Sequence, residues 1–143
     1  MNLIDTNILL YAEDSSSSHH EDVRSAWDDL LSSGQRVALS WPVLQGFIRI
    51  ATNVRIFRQP LCAGDALDIV NRWLKQPNVH LIQETRGHWS RLERLIQETQ
   101  VVGNLVHDAH LAALAMEHHA VLWSTDRDFA RFPGLQWHNP LDL

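Results

Sequence analysis

The chain has 143 residues, of which 45% are hydrophobic and 20% are charged, and its formal net charge is −5. This length predicts a single domain over residues 1–143, and the composition excludes a disordered tail, a collagen and a coiled coil. The single cysteine, Cys62, excludes an intramolecular disulfide framework and a zinc site built from several cysteines. Because no apolar run is long enough to span a membrane and the N-terminus lacks a basic signal region, we expect a cytoplasmic protein without a membrane partner.

Charge is distributed unevenly along the chain. Residues 24–94 contain ten of the twelve Lys and Arg residues but only six of the seventeen Asp and Glu residues. Such asymmetry is typical either of an acidic centre beside a basic surface or of charges scattered over a solvated exterior. Net acidity disfavours tight non-specific DNA binding, whereas a local basic patch is still able to attract an RNA backbone.

Short apolar runs alternate with helical patterns. Strands are predicted at residues 1–4, 37–39, 79–82, 121–124 and 135–137. Helices are predicted at residues 8–12, 21–31, 41–52, 63–75, 88–97 and 103–118, with Ser40 as the cap of the third. This alternation predicts an α/β fold in which a central parallel sheet carries helices on both faces.

Three aspartates fall where such a fold places its ligands. Asp5 ends the first predicted strand, Asp126 follows the fourth, and Asp108 lies in the first turn of the last helix. Ligands of open parallel sheets bind at the carboxyl ends of the strands. A single aspartate at a helix start is commonly a cap, but capping is the weaker explanation for three that converge on one sheet edge.

Carboxylates that are brought together repel one another unless a cation neutralises them. Their hard oxygen atoms suit Mg²⁺ or Mn²⁺, which also bind substrate phosphates. A divalent ion in such a site activates water and stabilises charge on a phosphodiester during its hydrolysis. The residues therefore predict metal-dependent phosphoryl chemistry.

Three blocks, taken in order, resemble a PIN domain over essentially the whole chain. The resemblance is closest to the VapC toxins of bacterial toxin–antitoxin pairs. The blocks are Asp5–Ala12 (DTNILLYA), Val106–Ala115 (VHDAHLAALA), and Ser124–Phe129 (STDRDF) with the FPGL run at residues 132–135.

The resemblance implies a Rossmann-like three-layer PIN fold and the toxin component of a type II toxin–antitoxin system. The implied activity is that of an endoribonuclease that depends on Mg²⁺, with Mn²⁺ as a substitute, and that cleaves tRNA or rRNA through a metal-activated water. The implied partners are the RNA substrate, a cognate VapB-like antitoxin and a second copy of the chain in a homodimer.

Residue by residue, the resemblance implies that Asp5, Asp108 and Asp126 are catalytic metal ligands and that Asp128 is a further acidic ligand. Thr6, Asn7 and Thr125 match polar neighbours that orient carboxylates or waters. Where PIN nucleases usually carry a glutamate in the helix after the second strand, this chain has Gln45, which keeps one carbonyl acceptor but loses the charge. Gln45 puts a second metal site in doubt, or it is merely a helix-surface residue.

Other residue types favour less specific interpretations. The nine histidines form no zinc motif, so we expect them mostly at the surface. Arginines are suited to binding an RNA backbone, although solvated faces or antitoxin contacts would explain them equally well. Trp27, Trp73 and Trp89 are expected in core or dimer packing, and Trp41 is left open between packing and stacking on an unpaired base. Arg127, between Asp126 and Asp128, is expected to temper their repulsion.

Two rival functions remain open. A phosphatase of the haloacid-dehalogenase kind also places aspartates at strand ends, but Asp5-Thr6-Asn7 lacks the second aspartate of its nucleophile motif. Alternatively, the chain is a catalytically weakened PIN-fold binding module that retains antitoxin or RNA binding, and Gln45 motivates this alternative. The chain has no Gly-rich phosphate loop and no Gly-x-Ser-x-Gly motif, which disfavours P-loop, dinucleotide-binding and α/β-hydrolase functions.

Overall fold

The sheet places its first strand in the centre. A computed structural model describes residues 1–142. Its five parallel strands lie in the order β3-β2-β1-β4-β5. The strands are β1 (Asn2–Ile4), β2 (Val37–Leu39), β3 (Val79–Leu81), β4 (Val121–Trp123) and β5 (Trp137–His138). The predicted parallel α/β sheet is confirmed, and each predicted strand lies within two residues of an observed one.

Six helices connect the strands. They are α1 (Thr6–Glu13), α2 (His20–Ser32), α3 (Trp41–Ala51), α4 (Ala63–Leu74), α5 (His88–Thr99) and α6 (Leu105–Glu117). A short 3₁₀ helix, Arg127–Arg131, follows β4. The helix α1 is longer than the turn predicted at residues 8–12, because Asp5 caps it and so allows it to begin directly after β1.

The helices form two layers. Helix α1 packs on α2 and α3, and α3 packs on α4, whereas α5 and α6 pack on each other. Successive crossovers from β1 to β2 to β3 advance in one direction across the sheet, and the crossover from β3 returns past β1 to β4. Since such crossovers are right-handed, α1–α4 cover one face and α5–α6 cover the other. The predicted three-layer arrangement is therefore present.

The core lies between these layers and the sheet. The four alanines of α6 at positions 109, 112, 113 and 115 are completely buried, which allows this helix to approach the sheet closely. Trp27 and Trp73, which are 1% and 5% exposed, pack edge to face with their ring centroids 6.2 Å apart. Core or dimer packing was predicted for both residues, and both lie in the core.

One local prediction is wrong, and another is only partly tested. Ser40 occupies the position before α3, but its hydroxyl makes no capping hydrogen bond and is buried without a partner among residues 1–142. Trp89 is 66% exposed and so does not lie in the core of this chain, and its place in dimer packing stays a prediction. Within residues 1–142 no helix has the length and apolar character needed to cross a membrane.

Candidate active site

The centre of the sheet brings Asp5 and Asp126 to one edge. Strands β1 and β4 are neighbours, with Ile4 paired to Trp123. The ladder continues one step further, because the Asp5 amide donates a 3.0 Å hydrogen bond to the Trp123 carbonyl. The two chain segments that carry Asp5 and Asp126 therefore leave the sheet side by side.

Asp5 is fixed by three hydrogen bonds. Its Oδ1 accepts from the Thr6 amide at 2.7 Å, which caps α1. Its Oδ2 accepts from Ser124 Oγ at 2.7 Å and from Asn7 Nδ2 at 3.2 Å. Both oxygens of this carboxylate are thus oriented by the protein, and the capping and functional interpretations of Asp5 are compatible.

Ser124 connects Asp5 to the loop that carries Asp126. Its side-chain oxygen accepts from the Asp126 amide at 3.0 Å and from Asn7 Nδ2 at 3.0 Å, while it donates to Asp5. The side-chain oxygen Oδ1 of Asn7 in turn accepts a 3.1 Å hydrogen bond from the Thr125 backbone amide. Five polar residues therefore hold the ends of β1 and β4 in one fixed arrangement.

Three carboxylates converge beside this arrangement. Oxygen atoms of Asp108, Asp126 and Asp128 lie within 4.8 Å of one another, and all three residues are partly exposed. We call this set the aspartate trio. Helix α6 supplies Asp108 from its first turn, and Asp126 accepts from the Asp128 amide at 2.9 Å, which sets the start of the 3₁₀ helix. Asp5 does not belong to the trio as a direct member.

Electrostatics tie all four aspartates to one site. Burial and, to a smaller extent and in that order, the negative charges of Asp126, Asp5 and Asp128 together raise the pKa of Asp108 to about 6. Burial also raises the pKa of Asp5, against the opposing effect of its hydrogen bonds from Ser124 and Thr6. Raised carboxyl pKa values mean that these negative charges are insufficiently compensated by the protein itself.

The arginine that pairs with a site carboxylate is not the one that was predicted. Arg131, and not Arg127, pairs with a site carboxylate, with its guanidinium 2.8 Å from Asp128 Oδ1. Arg127 instead contacts Asp142 at 2.6 Å, away from the trio. The prediction that Arg127 tempers the repulsion between Asp126 and Asp128 is wrong, because the 3₁₀ helix turns its side chain outward. Arg131 lowers the pKa of Asp108 against the three aspartates.

The remaining predicted neighbours, Thr6, Thr125 and Gln45, differ in how they contact the site. Thr6 contributes its amide to Asp5, and its hydroxyl donates to the Val43 carbonyl at 3.1 Å, which joins α1 to α3. Thr125 contributes its amide to Asn7 and no side-chain hydrogen bond within residues 1–142. Gln45 is exposed on α3 and has no hydrogen bond to residues 1–142 through its side chain. The structure thus does not bring Gln45 into the hydrogen-bonded network, and its predicted orienting role finds no contact here.

Ser124 was missed as a separate site residue, although it lies inside the third motif. The available signal was its place at the end of a central strand, directly before the Thr125-Asp126 pair. The hydroxyl of a buried serine at that position is able to donate one hydrogen bond and to accept others, so it can connect neighbouring polar groups.

A histidine network was missed as well. His88 Nδ1 lies 2.8 Å from Glu117 Oε2, and His88 Nε2 lies 2.9 Å from His110 Nδ1. His110 Nε2 is 3.2 Å from Glu84 Oε1. We call these four residues the histidine network. The expectation of surface histidines is wrong for His88, whose side chain is 12% exposed, and the spacing of His110 and Glu117 by seven residues on one helix face was the available signal.

The chain belongs to the PIN domain family, whose profile matches residues 3–135. Within that family it is similar to VapC ribonucleases of Mycobacterium tuberculosis. Ribonuclease VapC37 is 41% identical over 140 residues, which covers 98% of this chain and 97% of that protein. Ribonuclease VapC33 is 38% identical over 137 residues and covers 96% of each chain. The predicted resemblance is confirmed.

Solved structures share the fold at low sequence identity. VapBC-1 from nontypeable Haemophilus influenzae matches with a TM-score of 0.71 and 18% identity, over 99% of this chain and 98% of that chain. VapC20 from Mycobacterium tuberculosis, described as a toxin that cleaves the sarcin-ricin loop, matches with a TM-score of 0.67 and 17% identity, over 95% and 99%. These likenesses confirm the predicted PIN fold.

Proposed function

We propose that this chain is the toxin component of a type II toxin–antitoxin system and acts as a metal-dependent endoribonuclease. The aspartate trio beside a fixed Asp5 carries the proposal, because clustered carboxylates at the carboxyl ends of central strands suit phosphodiester hydrolysis. Membership in a family whose relatives are named ribonucleases supports the same activity. By this likeness, tRNA or rRNA is the proposed substrate.

The residues present fit a hard divalent cation, Mg²⁺ with Mn²⁺ as a substitute. All donors are carboxylate oxygens, the type these ions prefer. The raised pKa of Asp108 supports this fit, because burial and, less strongly, the neighbouring carboxylates disfavour the charged form of Asp108, and a bound cation would offset both effects. We propose that Asp108, Asp126 and Asp128 hold the ion. Such an ion supplies Lewis-acid chemistry, which activates water and offsets charge on the phosphate.

The chain's own residues have distinct tasks in this proposal. Asp5 carries a negative charge next to the trio, and Ser124 with Asn7 keeps its carboxylate in one orientation. Asp126 caps the 3₁₀ helix through one carboxylate oxygen, which leaves its other oxygen to bind the ion. Asp108 must lose its proton to serve as a ligand, so protons compete with the ion increasingly as pH falls below the pKa of about 6 that Asp108 has without metal.

We propose further that a VapB-like antitoxin and a second copy of this chain are partners. Solved neighbours of the same fold include a VapBC complex from Rickettsia felis bound to a promoter DNA fragment, with a TM-score of 0.70. The alternative of a catalytically weakened binding module rested on Gln45. Gln45 lies outside the hydrogen-bonded network of the aspartates, and relatives named ribonucleases support the nuclease over that alternative.

Cleavage of a mixed cellular RNA pool tests the activity. Purified, antitoxin-free protein is incubated with Mg²⁺, with Mn²⁺ and with EDTA, beside Asp5→Asn and Asp126→Asn. Asp29→Asn, an exposed aspartate of α2, is the matched control. We expect discrete products from the native protein and from Asp29→Asn that disappear with EDTA and with the two site variants.

Sequencing of the product ends then identifies the target. If folded native protein yields no product with either ion but still binds RNA or antitoxin, the binding-module alternative replaces the nuclease.

A further inference from the structure

One face of α3 is exposed and carries an aromatic, an amide and a guanidinium group. Trp41, Gln45 and Arg49 recur at intervals of four residues, so they lie along one side of the helix, about 12 Å from first to last. All three are exposed, and Trp41 retains 47% of its accessible surface. We call this surface the α3 stripe. The opposite side of α3, including Val43, Leu44 and Phe47, is buried.

The Trp41 end of the stripe lies at the edge of the aspartate site. Strand β2 pairs directly with β1, with Leu3 opposite Ala38, and neighbouring strands lie about 4.8 Å apart. Continuing this register places Ser40 opposite Asp5, and Trp41 is the next residue.

A second contact fixes the same neighbourhood. The Thr6 hydroxyl bonds the Val43 carbonyl, and a Cβ added at Gly46 would lie 3.0 Å from Thr6 Oγ1. The first two turns of α3 are thus packed tightly against the first turn of α1, which Asp5 caps.

The chemistry of the stripe fits an unpaired nucleic-acid segment. An exposed indole offers an aromatic face on which a base stacks, and such stacking tolerates any base. Arg49 has no carboxylate partner within 4.0 Å among residues 1–142, so its guanidinium is free to contact phosphate. A free arginine on an otherwise acidic chain supplies the complementary charge that a polyanion needs near this site.

We propose that an unpaired base of the RNA substrate stacks on Trp41 beside the aspartate site, while Arg49 binds a phosphate further along the same strand. The inference rests on the proposed ribonuclease function and narrows its substrate to RNA that is single-stranded next to the cleaved bond. A duplex keeps its bases stacked on one another and does not offer one to Trp41.

Fluorescence of a stacked base tests the proposal directly. The probe is an unstructured RNA of about ten nucleotides that carries one 2-aminopurine, bound to native protein in EDTA so that no cleavage occurs. We expect binding to quench the probe. Trp41→Ala should abolish the quenching and weaken RNA binding about 5- to 150-fold, the range for loss of one stacked base.

Three further variants separate stacking from a structural effect. Trp41→Phe keeps an aromatic face and should retain part of the quenching. Trp89→Ala removes an even more exposed tryptophan from α5 and should behave as native. Arg49→Ala should weaken binding without abolishing quenching and should reduce the dependence of the affinity on salt. In Mg²⁺, Trp41→Ala should raise KM more than it lowers kcat.

The outcomes distinguish this inference from the proposed function. Suppose that the native protein cleaves RNA, and that Trp41→Ala quenches the 2-aminopurine probe and cleaves RNA as the native protein does. In that case only the stacking inference is wrong. If Trp41-dependent quenching occurs but no metal supports cleavage, the stacking inference stands and the nuclease proposal falls. If Trp41→Ala instead lowers the sedimentation coefficient and leaves RNA affinity unchanged, the stripe is an interface between two copies of the chain.

Discussion

Ser124 Oγ donates a 2.7 Å hydrogen bond to Asp5 Oδ2, and the same oxygen accepts from the Asp126 amide at 3.0 Å. One hydroxyl group thus joins the carboxylate at the end of β1 to the backbone of the loop after β4. Asp5 and Asp126 are separated by more than a hundred residues in sequence, so their relative position depends on such a direct connection. Ser124 is completely buried, which excludes water as a competitor for these bonds.

Replacement of Ser124 by alanine should therefore weaken metal binding and RNA cleavage together. We expect about a 10- to 100-fold loss in metal affinity or activity, the range for residues that orient ligands. The pKa of Asp5 should rise further, because the Ser124 bond is the largest of the effects that lower it. Metal titration calorimetry and single-turnover cleavage measure the two losses.

Ser25→Ala, on the exposed side of α2, is the control and should match the native protein in both assays. Unfolding in urea accompanies them, since a buried amide left without its acceptor costs about 1–3 kcal/mol. A Ser124→Ala protein that remains folded and binds metal with native affinity would show that Asp5 needs no such support.

Much of the fold followed from local patterns. The apolar runs around residues 37–39 and 121–124, each following a helical pattern, predicted strands of a parallel sheet. The alanines of α6 are completely buried, and small residues at helical spacing are the kind of pattern that allows a helix to approach a sheet closely. Which strands are neighbours was not available from the sequence, because strand order depends on long-range packing. The limits of the domain over residues 1–143 stay a prediction.

The site followed from motifs only in part. The positions of Asp5, Asp108 and Asp126 at strand ends and a helix start were predictable, and the resemblance implied Asp128, but the grouping of Asp108, Asp126 and Asp128 with Asp5 beside them was not. Hydrogen bonds from Ser124, Asn7 and the Thr6 amide fix the Asp5 oxygens in that position. Sequence assigns residue types to an edge of the sheet, whereas hydrogen-bond partners depend on side-chain geometry.

The pH dependence of metal binding should follow Asp108. In the folded chain without metal, its pKa of about 6 exceeds the ordinary 3.8, so its ionisation removes stability as pH rises between these values. A proton and a cation compete for the same oxygens. The rise in Tm produced by Mg²⁺ should therefore be small at pH 5 and should grow until about pH 7.

Comparison of Tm with and without Mg²⁺ at each pH isolates this effect. The comparison is needed because His110 affects the stability of the folded chain in the opposite direction. Burial lowers the pKa of His110, so its protonation removes stability as pH falls. Asp108→Asn should show a smaller Mg²⁺ effect with little dependence on pH. An equal Mg²⁺-induced rise at pH 5 and pH 7 in the native protein would contradict the assignment of Asp108 as a ligand.

The histidine network should contribute to stability, because it fastens the start of α5 to α6. His88 bridges Glu117 and His110, which lie two turns apart on α6, and the Glu117 side chain is only 3% exposed. His88→Ala leaves Glu117 with the Thr85 hydroxyl as its remaining donor within residues 1–142. We expect a loss of about 2 kcal/mol in the free energy of unfolding, measured in urea.

His80→Ala, an exposed histidine of β3, is the control and should change stability by less than about 0.5 kcal/mol. His88→Gln, which retains a donor for Glu117, should recover part of the loss. Equal stability of His88→Ala and His80→Ala would mean that the histidine network makes no net contribution to the free energy of unfolding.

Arg131 should act against metal binding, since its guanidinium lies 2.8 Å from Asp128 Oδ1 and competes for a proposed ligand oxygen. Arg131→Ala frees that oxygen and removes a positive charge that lowers the pKa of Asp108. Because the ion pair is largely solvent-exposed, it is worth about 1 kcal/mol or less, and we expect metal affinity to increase about two- to fivefold. Calorimetric titration with Mn²⁺ at pH 7 measures the change.

Arg127→Ala is the matched control, because it removes the same charge from the same 3₁₀ helix but breaks only the exposed pair with Asp142. It should leave the Mn²⁺ affinity within about a factor of two of native, as expected for screened surface charges. If both variants bind Mn²⁺ equally tightly, general charge and not the Asp128 contact controls the site. If Arg131→Ala binds more weakly than native, Arg131 holds Asp128 in position for the ion.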